Sequence, residues 1–83
     1  MKFPVYEDSE SSKVVGYFND DDCAFNRDDS GCNIIIRKTS NGYWIGQWFG
    51  SDKHFLLTKG KAVDLMETYG IDYDIDEVDL PML

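Results

Sequence analysis

The stretch NIIIRKTSNGYWIGQWF, residues 33–49, decides the fold. Two runs rich in β-branched and aromatic residues, Asn33–Thr39 and Tyr43–Phe49, flank Ser40-Asn41-Gly42. Asn-Gly is the preferred pair for a type I′ turn, whose positive-φ residues match the twist of paired strands. With Asn41 and Gly42 as a two-residue loop, Ser40 lies opposite Tyr43. One face of the hairpin then carries Ile34, Ile36, Ile45 and Phe49. The other carries Ile35, Trp44 and Trp48, with Arg37 and Thr39 beside them and Gly46 leaving a gap. Neither face is polar, yet a lone helix covers only one side of a sheet. The second face needs a cover of its own: another part of the chain, a second copy, or a partner that uses Trp44 and Trp48.

Outward from the hairpin, Lys2–Glu7 and Lys13–Asn19 read as two short strands joined by the polar link Asp8–Ser12. Asn19–Gly31 reads as a long acidic connection. After a turn at Gly50–Lys53, His54–Leu57 reads as a strand. Thr58 is the N-cap of a helix over about 58–69, in which Ala62, Leu65, Met66 and Tyr69 share one face. Gly70 stops it. Beyond it Ile71, Tyr73 and Ile75 alternate with Asp72, Asp74 and Asp76, the period of a half-buried strand. The expected fold class is α+β: an antiparallel sheet of four to six strands with one helix on one face. A single domain spans 1–83, and 70–83 is an acidic C-terminal segment, either a strand or a partly ordered tail.

The chain has 83 residues and a net charge of −8, from sixteen acids against eight bases. The acids are one-sided. Residues 62–83 hold Asp64, Glu67, Asp72, Asp74, Asp76, Glu77 and Asp79 and no Lys or Arg. A second cluster, Asp20, Asp21, Asp22, Asp28 and Asp29, has only Arg27 among it. Such a balance repels nucleic acid and anionic membrane and attracts basic protein surfaces. No stretch approaches the roughly 18 apolar residues of a membrane span, and residues 1–10 lack the apolar run of a signal peptide. A cytoplasmic location in a bacterial host cell is expected, with Cys23 and Cys32 as free thiols.

The residues of catalysis and metal binding are not in evidence. The Asp20–Gly31 loop puts Ala24, Phe25 and Gly31 where an EF-hand needs an oxygen ligand, Gly and Glu. His54 is the sole histidine, which leaves a closed Cys/His zinc site short of a ligand. No nucleophile elbow or Gly-rich phosphate loop occurs. The expectation is a non-enzyme without cofactor or metal.

In size and charge, with no specific residues in common, the chain resembles the small acidic inhibitors made by phages and mobile elements, many described as DNA mimics. Acidic immunity proteins and antitoxins that cap basic nucleases share the outline. The resemblance implies an anti-defence inhibitor that occupies the basic nucleic-acid groove of a host enzyme. The carboxylates at 20–22, 28–29, 72, 74, 76, 77 and 79 would meet that groove, and Tyr73 and the Trp face would add apolar contact. The alternatives are a non-catalytic interaction module, a homodimer, or an immunity protein against a basic nuclease.

Overall fold

The computed structural model describes residues 2–74. In chain order these form β1 (Lys2–Tyr6), β2 (Val14–Asn19), a 3₁₀ turn (Asp20–Asp22), β3 (Cys23–Asp28), β4 (Ile34–Thr39), β5 (Trp44–Trp48), β6 (His54–Leu57) and α1 (Lys59–Thr68). The class is α+β, as expected, with one six-stranded sheet in the order β2-β1-β6-β5-β4-β3. It is mixed rather than antiparallel, because β1 runs parallel to β6 while the other neighbours are antiparallel.

The central hairpin forms where expected, but in a different register. Gly42 donates its N–H to the Thr39 carbonyl, and Thr39 donates to the Tyr43 carbonyl, each at 2.9 Å. Gly42 has φ 90°, while Asn41 is not left-handed. This is a three-residue loop, a turn closed by a positive-φ glycine, and it makes Thr39 rather than Ser40 the partner of Tyr43. A slip of one residue moves a whole strand's side chains to the opposite face. Ile34 therefore pairs with Trp48, Ile36 with Gly46 and Lys38 with Trp44. The tryptophans join Ile34 and Ile36, and Ile45 joins Ile35, Arg37 and Thr39.

The face with the tryptophans is the one α1 covers. Its core holds Phe25, Ile34, Ile36, Trp44, Phe55 and Leu57 against Ala62 and Met66 of the helix. Trp48 stacks on Phe55 and meets Tyr69 edge-on. The helix starts at Thr58, whose hydroxyl accepts from the Lys61 N–H, and ends where Gly70 takes φ 68°. Ile71 donates to the Met66 carbonyl at 2.8 Å, and both side chains enter the core, the expected pairing for such a stop.

β3 corrects the expectation of a long acidic connection. Its Phe25 is 3 % exposed and sits edge-on to Trp44, so pairing with β4 and burial of one ring impose the strand on a polar sequence. The strand expected from Ile71 onward is absent over Ile71–Asp74, which are irregular, although Ile71 is buried and Asp72 exposed as the alternation implied. Ile75, Asp76, Glu77 and Asp79 lie outside the described residues.

β2 and β3 are the two edges of the sheet, yet only the turn Asp20–Asp22 joins them. Four residue steps span at most about 14 Å. In a flat sheet five strand spacings would hold those edges about 24 Å apart. The sheet must curl, and it does so away from α1. The link is pinned where Ser40 donates from both N–H and hydroxyl to the Asp22 carbonyl, each at 2.7 Å. The concave face thus covers itself, burying Val5, Phe18 and Ile45 with Phe3 and Cys23 alongside.

Gly46 makes the convex face close. A Cβ there would lie 2.8 Å from the buried Phe55 ring and 3.1 Å from Leu57. Gly46→Ala should therefore cost about 1–3 kcal/mol through overpacking, seen as a lower urea midpoint at unchanged slope. An unchanged midpoint would show that the ring does not fill that gap.

Candidate functional site

Among the described residues, a larger and a smaller depression lie on the concave face. The larger, about 610 Å³, lies between β2 and the tip of the β4–β5 hairpin. Val5, Phe18, Ile45 and Leu56 give it an apolar floor, and Lys2, Asp22, Ser40 and Asn41 contribute polar groups. Two aromatic side chains line it while largely open to solvent, Tyr17 at 68 % and Tyr43 at 60 %. Val15 and Leu56, also exposed, line it too. So most of the large apolar surface that the described residues leave exposed gathers at one place.

The smaller depression, about 230 Å³, is polar and is lined by Phe3, Asp20, Arg37, Gln47, Asp52 and His54. Arg37 donates from Nη1 to Gln47 Oε1 at 2.9 Å, and Gln47 donates to the Ser51 carbonyl. Asp20 Oδ1 is 3.3 Å from Arg37 Nε, an ion-pair distance, but the N–H is not aligned for a hydrogen bond. His54 is 6 % exposed, its ring centred about 5 Å from those of Phe3 and Phe18, and its Nδ1 finds no well-aligned hydrogen-bond partner among the described residues. Burial, and then the Arg37 charge, lower its pKa, while Asp20 and Asp52 oppose them. Among the described residues, no group of three His, Cys, Asp or Glu is placed to hold a metal ion.

The residues singled out from the sequence separate into kinds. Asp20, Asp21 and Asp22 form the exposed link between the sheet edges. Asp28 is exposed at the far end of β3, about 17 Å from that link at strand rise. Asp29 is 5 % exposed and closes its own loop. Its carboxylate accepts from the N–H groups of Gly31, Asn33 and Ile34 and from the Asn33 amide. Those bonds, led by Ile34, hold its pKa below the ordinary value against the opposing effect of burial. Asp72 and Asp74 are exposed, and Tyr73 donates its hydroxyl to Glu67. Without a strand there, sheet geometry does not set the pitch of those carboxylates. Asp76, Glu77 and Asp79 lie outside the described residues.

Trp44, 4 % exposed beneath α1, has no surface to offer a partner, and Trp48 is half-buried against the same helix. Conversely, Asp22 is the one carboxylate singled out above that lines the larger depression, and the apolar residues there are not among those candidates. The only signal for them was the uncharged run Val14–Asn19, read simply as a strand. No protein-family model, curated protein or solved structure matches the chain significantly.

His54 and Asp29 together set an acid response. Both have folded-state pKa values below their ordinary ones, near 6.5 and 3.8, so each favours folding only while deprotonated. As pH falls, the unfolded chain takes up each proton first. Stability should start to fall as pH drops through 6.5 and fall further below 3.8. Urea midpoints across this range should show His54→Phe abolishing the first decline and keeping the second. A native protein equally stable at about pH 7 and 5 would contradict the assignment of the first step to His54.

Proposed function

We propose that this chain is a small acidic inhibitor that occupies the basic nucleic-acid groove of a nucleic-acid-processing enzyme, of the anti-defence kind made by phages and mobile elements. What supports this reading is how the fold disposes of its charges. Every described carboxylate except Asp29 is exposed. Several of the eight bases are instead engaged. Arg27 lies over the Phe25 ring, Lys38 over Trp44 and Lys53 over Tyr6. Arg37 sits in the concave face beside Asp20 and Gln47. A chain already at −8 therefore presents accessible negative charge, while Arg37, Lys38 and Lys53 are drawn against rings or into the concave face and Lys2, Lys13, Arg27, Lys59 and Lys61 stay exposed.

Such a surface steers a basic groove toward itself and competes with phosphates for the same Lys and Arg side chains. Single exposed charges contribute about 0–1 kcal/mol at most, so the carboxylates act as a group. A polyanion alone would not discriminate between basic grooves, and discrimination requires apolar contact. The exposed aromatic rim of the larger depression is where the described surface offers it.

The test is competition. The protein captured by this chain from bacterial lysate should lose binding to a labelled DNA or RNA in its presence, and excess nucleic acid should restore it. Combining Asp21→Asn, Asp22→Asn, Asp72→Asn and Asp74→Asn should slow association about tenfold or more at low salt, with little difference at high salt. A ternary complex with nucleic acid, or inhibition that no amount of nucleic acid relieves, would contradict the proposal.

A further inference from the structure

We infer that the free edge of β2 is a docking edge for an extended segment of the partner protein, one with an apolar side chain next to Lys or Arg. A run of consecutive β2 residues lines the larger depression. Val15, Gly16, Tyr17, Phe18 and Asn19 all do. Successive side chains of a strand point to opposite faces, so five consecutive residues cannot share a depression through one face. What they share toward it is the strand's edge, with its backbone N–H and C=O groups. Among the described residues β2 has only β1 as a neighbour in the sheet, so that edge is unpaired among them.

Edge strands are ordinarily guarded by charge or by bulges. At the opposite edge, β3 carries Arg27 and Asp28. β2 reads Val-Val-Gly-Tyr-Phe-Asn, without a charged residue in a chain that is 29 % charged. Its one guard is the register shift opposite Val15, which leaves Gly16–Asn19 as the pairable length. An added strand there would satisfy its backbone on β2 and lower alternate side chains toward Ile45 and Leu56, with Tyr43 across from it.

Charge selects the occupant. β2 runs directly into Asp20-Asp21-Asp22, so a segment laid along it ends beside three carboxylates. A second copy would bring its own charge of −8 to the same edge, whereas a basic segment gains from it. The sign of the flanking residues rests on the reading of a basic partner given above. The edge and the apolar floor do not.

The probe is the acetylated and amidated peptide Lys-Val-Thr-Val-Arg, titrated into the isotope-labelled full chain by NMR. Shift changes should concentrate at residues 15–19, Asp22, Ile45 and Leu56. Methylating the peptide's central backbone nitrogens should weaken binding about tenfold, as should Leu56→Gln or, independently of any effect on folding, Tyr17→Ser at its exposed ring. Absence of shifts at β2 with peptide at about 5 mM overturns the docking edge, while the competition assay above still decides the inhibitor reading on its own. Equal binding of Glu-Val-Thr-Val-Glu overturns the basic flanks and, with them, the basic partner. Self-association with the same shifts before peptide is added makes a second copy the occupant and overturns the inference.

Discussion

The hydrogen bond from Gly42 to Thr39 fixes more of this structure than any other local contact. It closes the hairpin over three residues, and strand register follows from loop length. In this register both tryptophans and the isoleucines at 34 and 36 point the same way and give α1 a continuous apolar bed. One residue of slip would leave the tryptophans on the concave side with Arg37, while Ile45 and Phe49 replaced them beneath the helix. Gly46 completes the arrangement, since its missing side chain admits the Phe55 ring.

The same register leaves Ile45, Arg37 and His54 on the face without a helix, and the brevity of the Asp20–Asp22 link resolves their exposure. Three residues cannot connect opposite edges of a flat six-stranded sheet, so the sheet bends and shelters its own second face. Curling is incomplete, and among the described residues β2 keeps an unpaired edge beside an aromatic-rimmed depression. The acidic link lies at the end of that edge. Affinity through apolar contact and selectivity through charge thus have adjacent places in the fold, which is what a discriminating acidic binder requires.

Much of this was legible in the residues, and the misreadings have physical causes. α1 was readable because Thr58, the spacing of Ala62, Leu65, Met66 and Tyr69, and Gly70 are local signals that agree. The strands at 2–6, 14–19, 34–39, 44–48 and 54–57 were readable from β-branched and aromatic content. β3 was not, because Phe25 is its main apolar anchor and its pairing with β4 is tertiary. The register was misread because Asn-Gly serves both two- and three-residue loops, and only the bonds of Thr39 separate them. Of the candidate site, the exposure of Asp20–Asp22 was legible, but the buried role of Asp29 was not: a carboxylate that caps its own loop looks in sequence like any other in an acidic cluster. The β2 depression was illegible for a deeper reason, since it is assembled by the curl from residues on five strands.

The register of β4 against β5 sets the core and the concave face alike, and cross-strand proton contacts measure it directly. Because Thr39 and Tyr43 form a hydrogen-bonded pair, the alternate pairs bring their α protons close together. Nuclear Overhauser contacts between α protons should join Lys38 to Trp44, Ile36 to Gly46 and Ile34 to Trp48. Contacts joining Thr39 to Trp44, Arg37 to Gly46 or Ile35 to Trp48 would place Ser40 opposite Tyr43. They would return the tryptophans to the concave side and contradict the core, the depression and the docking edge built on them.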